Sequence, residues 1–416
     1  MRLASPSLHF RVSALALLVL GGCGPSAAPQ RAATSIAASE STTPRPATRF
    51  ESSAELNPLR GGAVDALLSR TLRQSCAKAG LVSDGRLAEL AMAIARASDG
   101  AHTPPSYSLV SFHARSVGLA EPTPQVWLAS GPDTQTLAPA LADAIREASR
   151  TSRLTHCGAS AVPMPGGVVV ALALSTRPFA FARPVPRRIR QGDGITLVGE
   201  LADGYHHPII ALTPPAGVVT RHVLGEDRDF SHVIPTPQAG TYTVELLAEG
   251  PDGLTVAAMF PVAVGIPLET RAPRFEDERV ESNPEEVADH LLTLIAEERA
   301  RRRLPPLRND RRLTRIALKH SKDMVQHAFI AHTSKRSGDA TARVRRAGLN
   351  AYVVLENIGR GYSADELHRG LMESPGHRGN ILHPEAREIG IGVMAEQEGD
   401  RLAFIATELF TQLAPE

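Results

Sequence analysis

Two hydrophobic periodicities alternate along the chain and divide it. Apolar residues at three- and four-residue spacings in Val64 to Leu72, Leu87 to Ala97 and Leu137 to Ser149 predict amphipathic helices. Gly166-Gly167 followed by the apolar run Val168 to Leu174 predicts a turn into a buried strand. Helices followed by a hairpin predict an α+β first domain over residues 56–182. From Pro184 the texture changes to short alternating runs broken by Gly and Pro: Gly194 to Gly199, Gly240 to Leu247, and Thr255 to Val264, with Pro251-Asp252-Gly253 as a hairpin turn. These predict an all-β antiparallel sandwich over 183–267. Residues 268–282 are charged and aperiodic, the pattern of a linker. Asn283-Pro284-Glu285-Glu286 reads as a helix start, with Asn283 as N-cap, Pro284 at the first helical position and Glu286 completing a capping box. Val287, Leu291, Leu294 and Ile295 then place an apolar stripe on one face. Glu297 and Glu298 precede Arg301 and Arg302 by four, so this basic run reads as a salt-bridged, solvated face rather than a polyanion site.

The first residues follow neither period. Arg2 and Arg11 precede an apolar run, Val12 to Leu20, too short to span a bilayer as a mature helix. It ends in Leu20-Gly21-Gly22-Cys23, which resembles a bacterial lipobox. The resemblance implies a signal peptide over 1–22, lipidation of Cys23 and stable anchoring to a membrane by two or three acyl chains. The alternative is an ordinary signal peptide cleaved nearby, with Cys23 incidental. Gly24, where Asp would retain an inner-membrane lipoprotein, favours the outer membrane by the same resemblance. Residues 23–55, rich in Ala, Pro, Ser and Thr, predict a disordered tether.

Length and charge narrow the picture modestly. A chain of 416 residues suits two or three cores. Its 45 Lys and Arg against 44 Asp and Glu create no whole-protein field that would gather nucleic acid. Besides Cys23 the only cysteines are Cys76 and Cys157, both in the first domain of an exported chain, where a disulfide between them is expected.

The third region carries short segments in a fixed order. They are Leu294 to Ala300, Leu304-Pro305-Pro306-Leu307, Asp310 with Leu313, His320 to Met324, Ala331-His332-Thr333-Ser334, Glu356-Asn357-Ile358, and Ser374-Pro375-Gly376-His377-Arg378-Gly379-Asn380-Ile381-Leu382. Together they resemble the CAP superfamily, the SCP-like extracellular domains of cysteine-rich secretory and pathogenesis-related proteins, over a domain of residues 283–414. The resemblance implies an α-β-α sandwich with a cleft holding two histidines and one or two glutamates. Carried over position by position, these are His332, Glu356 and His377, with Glu373 as the remaining glutamate. The sequence departs from the family at Leu371 and in Leu402 to Phe410, where tryptophans are common.

Imidazoles and carboxylates converging from separate segments are able to bind a divalent cation such as zinc, here through His332 and His377, or to act as an acid/base pair on a bound water. Ser374, followed by Pro375, reads as a helix cap rather than a nucleophile. His320 falls on the apolar side of its helix and reads as packed. Gly359 and Gly361 lack the strand and helix that frame a phosphate loop. His206-His207 follows a Gly-Tyr turn and reads as exposed loop.

Asp84 to Ala91 aligns with Asp310 to Ala317, sharing Asp, Arg, Leu and Ala in register, and Cys157-Gly158 before an apolar hairpin aligns with Ile389-Gly390. The first domain therefore reads as a degenerate CAP-like copy without counterparts of Glu356-Asn357 and Ser374 to His377. The preceding β-sandwich resembles bacterial Ig-like modules. Three functions follow from the resemblance: a cell-envelope module binding a lipid, glycan or protein ligand; a metal-assisted hydrolase of peptide or cell-wall material, with Glu356 orienting water; or a purely structural adhesin.

Overall fold

The computed structural model describes residues 46–51, 66–98, 105–122, 124–151, 153–251, 253–272, 281–398 and 401–415. The signal-peptide run, Cys23 and most of the expected tether lie outside them. The first domain comprises α1 (Ala66–Lys78), β2 (Val82–Ser83), α2 (Gly85–Ala97), α3 (Tyr107–Ser116), β3 (Gln125–Gly131), α4 (Thr134–Thr151), β4 (His156–Met164) and β5 (Gly167–Ser175). The short β1 (Arg49–Phe50) precedes them. The strands form one sheet in the order β2-β4-β5-β3, with β2 parallel to β4 and the other pairs antiparallel. One face buries Leu87, Leu90 and Ile94 of α2 with Val110 of α3; the other buries Leu72 and Cys76 of α1 with Leu141 and Ile145 of α4. Cys76 and Cys157 form the expected disulfide. Helix α3 and strand β3 carry weak periodicity and were not legible in the pattern.

The second domain takes β6 (Phe179–Phe181), β7 (Val185–Pro186), β8 (Arg188–Ile189), β9 (Ile195–Leu201), β10 (His206–Thr213), β11 (Thr220–Val223), β12 (Asp229–Ile234), β13 (Gly240–Gly250) and β14 (Gly253–Val264). Two main sheets, β11-β10-β13-β14-β8 and β12-β9-β6, enclose a single core. Three expectations are corrected here. The sandwich is not wholly antiparallel, because β8 joins β14 in parallel. It begins before residue 183, because β6 belongs to it. Residues 46–51 of the expected tether belong to the fold instead: β1 pairs with β7, and Phe50, fully buried against Phe260 with ring centroids 4.8 Å apart, gives this stretch the apolar anchor that the preceding composition lacks.

The third domain comprises α5 (Pro284–Arg301), β15 (Arg308–Asn309), α6 (Arg311–His327), α7 (Ala340–Arg346), β16 (Ala351–Gly361), α8 (Ala364–Glu373), α9 (Pro375–Ile381), β17 (Glu388–Glu398) and β18 (Arg401–Leu413). Asn283 caps α5 as expected, its Oδ1 accepting from Glu286 N at 2.9 Å. Arg301 pairs with Glu297 on the exposed face, and Arg302 with Glu298, which is itself buried. The sheet order is β15-β17-β18-β16, with β15 parallel to β17 and the rest antiparallel. Helices α5, α8 and α9 pack against one face, while α6 and α7 share the other with Leu409.

The first and third sheets have one topology in matching registers. A Cβ on Gly158 would stand 2.3 Å from Ala88 N, and a Cβ on Gly390 would stand 2.3 Å from Thr314 N, so both glycines let the helix after the first strand lie directly on the sheet. Asp84 N donates to Cys157 O at 2.8 Å, and Asp310 N donates to Ile389 O at the same distance. Both aspartates cap the helices they precede. The α-β-α arrangement expected of residues 283–414 therefore occurs twice.

Candidate functional site

Helix α6 stops at Ala328, whose left-handed φ of 50° turns the chain back toward the sheet. His320, packed inside as expected, holds this return through a 3.1 Å contact between its Nε2 and Ala331 O. The next residue is His332. Its Nδ1 lies 3.0 Å from Glu356 Oε1, and its side chain remains about one-third exposed (34%). Glu356 projects from β16 and is almost wholly buried. Its other oxygen accepts from the Arg343 guanidinium of α7, which also donates to His332 O at 3.1 Å. Arg343 thus neutralises a buried carboxylate and fixes the loop that carries the histidine.

His377 reaches the same place from α9. Its ring centroid is 6.1 Å from that of His332, with an interplanar angle of 37°. Burial, with His332 and Arg221 adding positive charge, pushes its pKa down to about 3, so the ring is neutral at ordinary pH. Asn357, fully buried, ties the elements together. Its Nδ2 donates to His377 O at 3.2 Å and to Glu408 Oε2 at 3.0 Å, and its Oδ1 accepts from Asn380 Nδ2 at 3.0 Å. Asn380 also donates to Glu356 O at 3.1 Å. Burial raises Glu408 to about 7, opposed by the Asn357 hydrogen bond.

Glu373 is not brought to this group. It pairs with Arg115 of α3 at 3.0 Å and belongs to the contact between the first and third domains. In the same contact, Tyr107 N donates to Glu366, and Arg369 Nη1 donates to Ser108 Oγ at 2.9 Å. Ser374 caps α9 as expected, accepting from His377 N at 3.3 Å. Its hydroxyl also donates at 2.6 Å to Glu245, a fully buried carboxylate of β13 that accepts from Gly376 N at 2.7 Å. A cavity of about 180 Å³ lies where the three domains meet, bounded by Tyr107, Glu245, Met259, Leu371 and His377 among others.

The sequence reading missed Arg343, Glu408 and Glu245. A signal existed for two of them: each glutamate interrupts an otherwise apolar strand run, where a charge is rarely buried without purpose. Nothing distinguishes Arg343 from the other arginines of its helix.

The matching registers show that, among the described residues, the first domain lacks counterparts of Glu356, Asn357 and Glu408. Glu356 faces Leu409, which also pairs with Gly390; Val126 faces Ala173, which also pairs with Gly158. Val126 therefore occupies the place of Glu356. By the same step Trp127 replaces Asn357 and Leu172 replaces Glu408.

As a zinc centre the group is short of ligands. Among the described residues, His332, Glu356 and His377 do not form a set of three ligand atoms within 4.8 Å of one another. Glu356 is engaged on both oxygens, which leaves two imidazoles where catalytic zinc sites take three protein ligands.

Residues 292–412 match the family model described as the cysteine-rich secretory protein family, CAP. A Bacillus subtilis protein, YkwD, is 32% identical over 103 residues, 24% of this chain and 40% of that protein. A second, the membrane protein YlbC of the same organism, is 28% identical over 104 residues, 25% of this chain and 30% of its own length. The match thus spans well under two-thirds of either relative. Among solved structures, an extracellular SCP-domain protein of Bacillus anthracis is 18% identical, covering 57% of this chain and 87% of its own with a TM-score of 0.29. An outer surface protein of Borrelia burgdorferi is 19% identical, covering 31% of this chain and 95% of its own with a TM-score of 0.28.

Proposed function

We propose that this chain, whose residues 292–412 match the CAP family model, is an exported cell-envelope protein, anchored through a lipid on Cys23, whose third domain binds an extracellular lipid, glycan or protein ligand at His332, Glu356 and His377. The carrying observation is the pairing of a neutral, half-buried His377 with an equally half-buried His332 whose Nδ1 is held by Glu356. Glu356 occupies His332 Nδ1, so a ligand meets His332 Nε2 and the neutral His377 ring in fixed orientation, which suits hydroxyl, amide or carbonyl groups. The buried Arg343 and Asn357 contacts hold them before a ligand arrives, lowering the ordering cost of binding.

The test is capture of envelope lipids, glycans and proteins by the purified chain and by the His332→Ala/His377→Ala variant. Ligands retained by wild type and lost by the variant support the reading; equal recovery would make the histidines structural and favour the adhesin. Incorporation of labelled palmitate that disappears in Cys23→Ser tests the anchor.

The metal-assisted hydrolase finds one favourable feature. A carboxylate on His332 Nδ1 leaves Nε2 as the lone-pair atom, as in metal-ligating histidines. The two-imidazole donor set does not complete a catalytic zinc site, so no reaction step is assigned to a metal here. Zinc-dependent release of peptide or cell-wall fragments, abolished in the double variant, would restore the enzyme reading.

A further inference from the structure

We propose that His206, His207 and Glu249 form a binding site for a divalent transition-metal ion of the zinc class, on the β-sandwich and separate from the histidine cleft. Successive residues of a regular strand point to opposite faces, so neighbouring histidines do not ordinarily meet. At the start of β10 they do. The pairing with β13 slips between His206↔Glu249 and Ile209↔Leu247, inserting one extra residue as a β-bulge. His207 adopts a left-handed φ of 52°, an uncommon conformation for a residue with a side chain. The bulge brings the two Nδ1 atoms to 2.8 Å, with ring centroids 4.5 Å apart at 85°. Glu249 Oε2 stands 3.0 Å from His207 Nδ1 and 3.7 Å from His206 Nδ1.

A proton on His207 Nδ1 would account for its two short contacts but leaves His206 Nδ1 and Glu249 Oε2, 3.7 Å apart, with their lone pairs toward each other. A cation in place of that proton takes all three atoms as ligands at once. Among the described residues this is the only set of His, Cys, Asp and Glu in which three ligand atoms lie within 4.8 Å of one another. Two imidazoles and one carboxylate suit zinc, copper or nickel rather than calcium or magnesium. Both His206 and Glu249 are solvent-exposed, so water completes the coordination and little desolvation opposes it. The ion would clamp β10 to β13 beside their shared end. There the hairpin after Gly250 reaches the third domain: a Cβ on Gly253 would stand 3.0 Å from Thr333 Oγ1, next to His332.

Isothermal titration of the metal-stripped full chain with Zn²⁺ at neutral and mildly acidic pH tests the proposal. The expected result is one equivalent bound, at least tenfold weaker in His206→Ala/His207→Ala and in Glu249→Ala, weaker for wild type in acid, and unchanged in His332→Ala/His377→Ala. Unaltered stoichiometry and affinity in the His206/His207 variant would overturn it, and loss confined to the His332/His377 variant would assign the ion to the cleft instead. His207→Gly separates binding from folding, since glycine accepts the left-handed backbone while removing a ligand. This variant is expected to melt no lower than wild type without metal and to lose the zinc-induced rise in melting temperature; a retained rise would also overturn the proposal.

Discussion

Glu245 and Ser374 lie in different domains, yet the Ser374 hydroxyl donates a 2.6 Å hydrogen bond to the Glu245 carboxylate, and both are buried. The same carboxylate accepts from Gly376 N, one residue before His377. The β-sandwich thereby holds the first turn of α9, and with it one of the two site histidines. An apparently self-sufficient CAP domain has part of its cleft positioned by its neighbour.

Glu245→Ala is expected to leave the Ser374 hydroxyl and the Gly376 amide without their partner, at about 2 kcal/mol. Faster amide hydrogen exchange confined to α9 and the facing strand β13 would register the loss. Exchange equal to wild type across α9 would mean that the contact does not position the helix.

Arg343→Met removes the cation from a carboxylate that is almost wholly buried, and breaking such a pair costs about 3 kcal/mol. Arg343→Met/Glu356→Gln should recover much of that stability in denaturant titrations while still failing to bind ligand, because Nδ1 of His332 loses its charged partner. Full ligand binding by the double variant would make Glu356 a packing residue.

The pH dependence of stability isolates Glu408. Burial raises it from 4.5 to about 7, so the folded state keeps a proton that the unfolded chain has released between those values. Its contribution to stability therefore falls as pH rises through this window. His377 acts oppositely: lowered from 6.5 to about 3, it remains neutral in the fold while the unfolded chain takes up a proton, so its contribution falls as pH drops. The windows overlap, and only the difference between Glu408→Gln and wild type separates them. This difference should grow in favour of the variant from pH 4.5 to pH 8, by on the order of 2 kcal/mol. A difference independent of pH in chemical unfolding would show Glu408 titrating normally.

The Cys76–Cys157 disulfide closes a separation of 81 residues, worth about 4 kcal/mol in chain entropy. Cys76→Ser/Cys157→Ser should lower the calorimetric transition of the first domain by several degrees. Coincident lowering of every transition would indicate that the three domains unfold as one.

Local signals made much of this legible before any coordinates. Asn283 and Ser374 announce helix starts because capping is settled within a few residues, and the order of short motifs placed His332, Glu356 and His377. Glu373 was misplaced because its partner, Arg115, comes from another domain, and sequence adjacency to the motif says nothing about which side of α8 it takes. Phe50 was swept into the tether because one aromatic residue cannot be distinguished from a disordered background until its partner, Phe260, is known. His206 and His207 were read as loop because a bulge, unlike a period, leaves no mark in the pattern.

The two sheets of identical order also bear on how the chain avoids folding against itself. Like domains in one polypeptide risk exchanging equivalent strands during folding. Here β16 in the first sheet would set Glu356 opposite Ala173 and Asn357 opposite Leu172, while β3 in the third would leave Glu408 facing Trp127. Both exchanges bury an unmet polar group. The residues that differ at these matching positions therefore favour each strand in its own sheet, so the sequence differences between the two copies oppose mispairing.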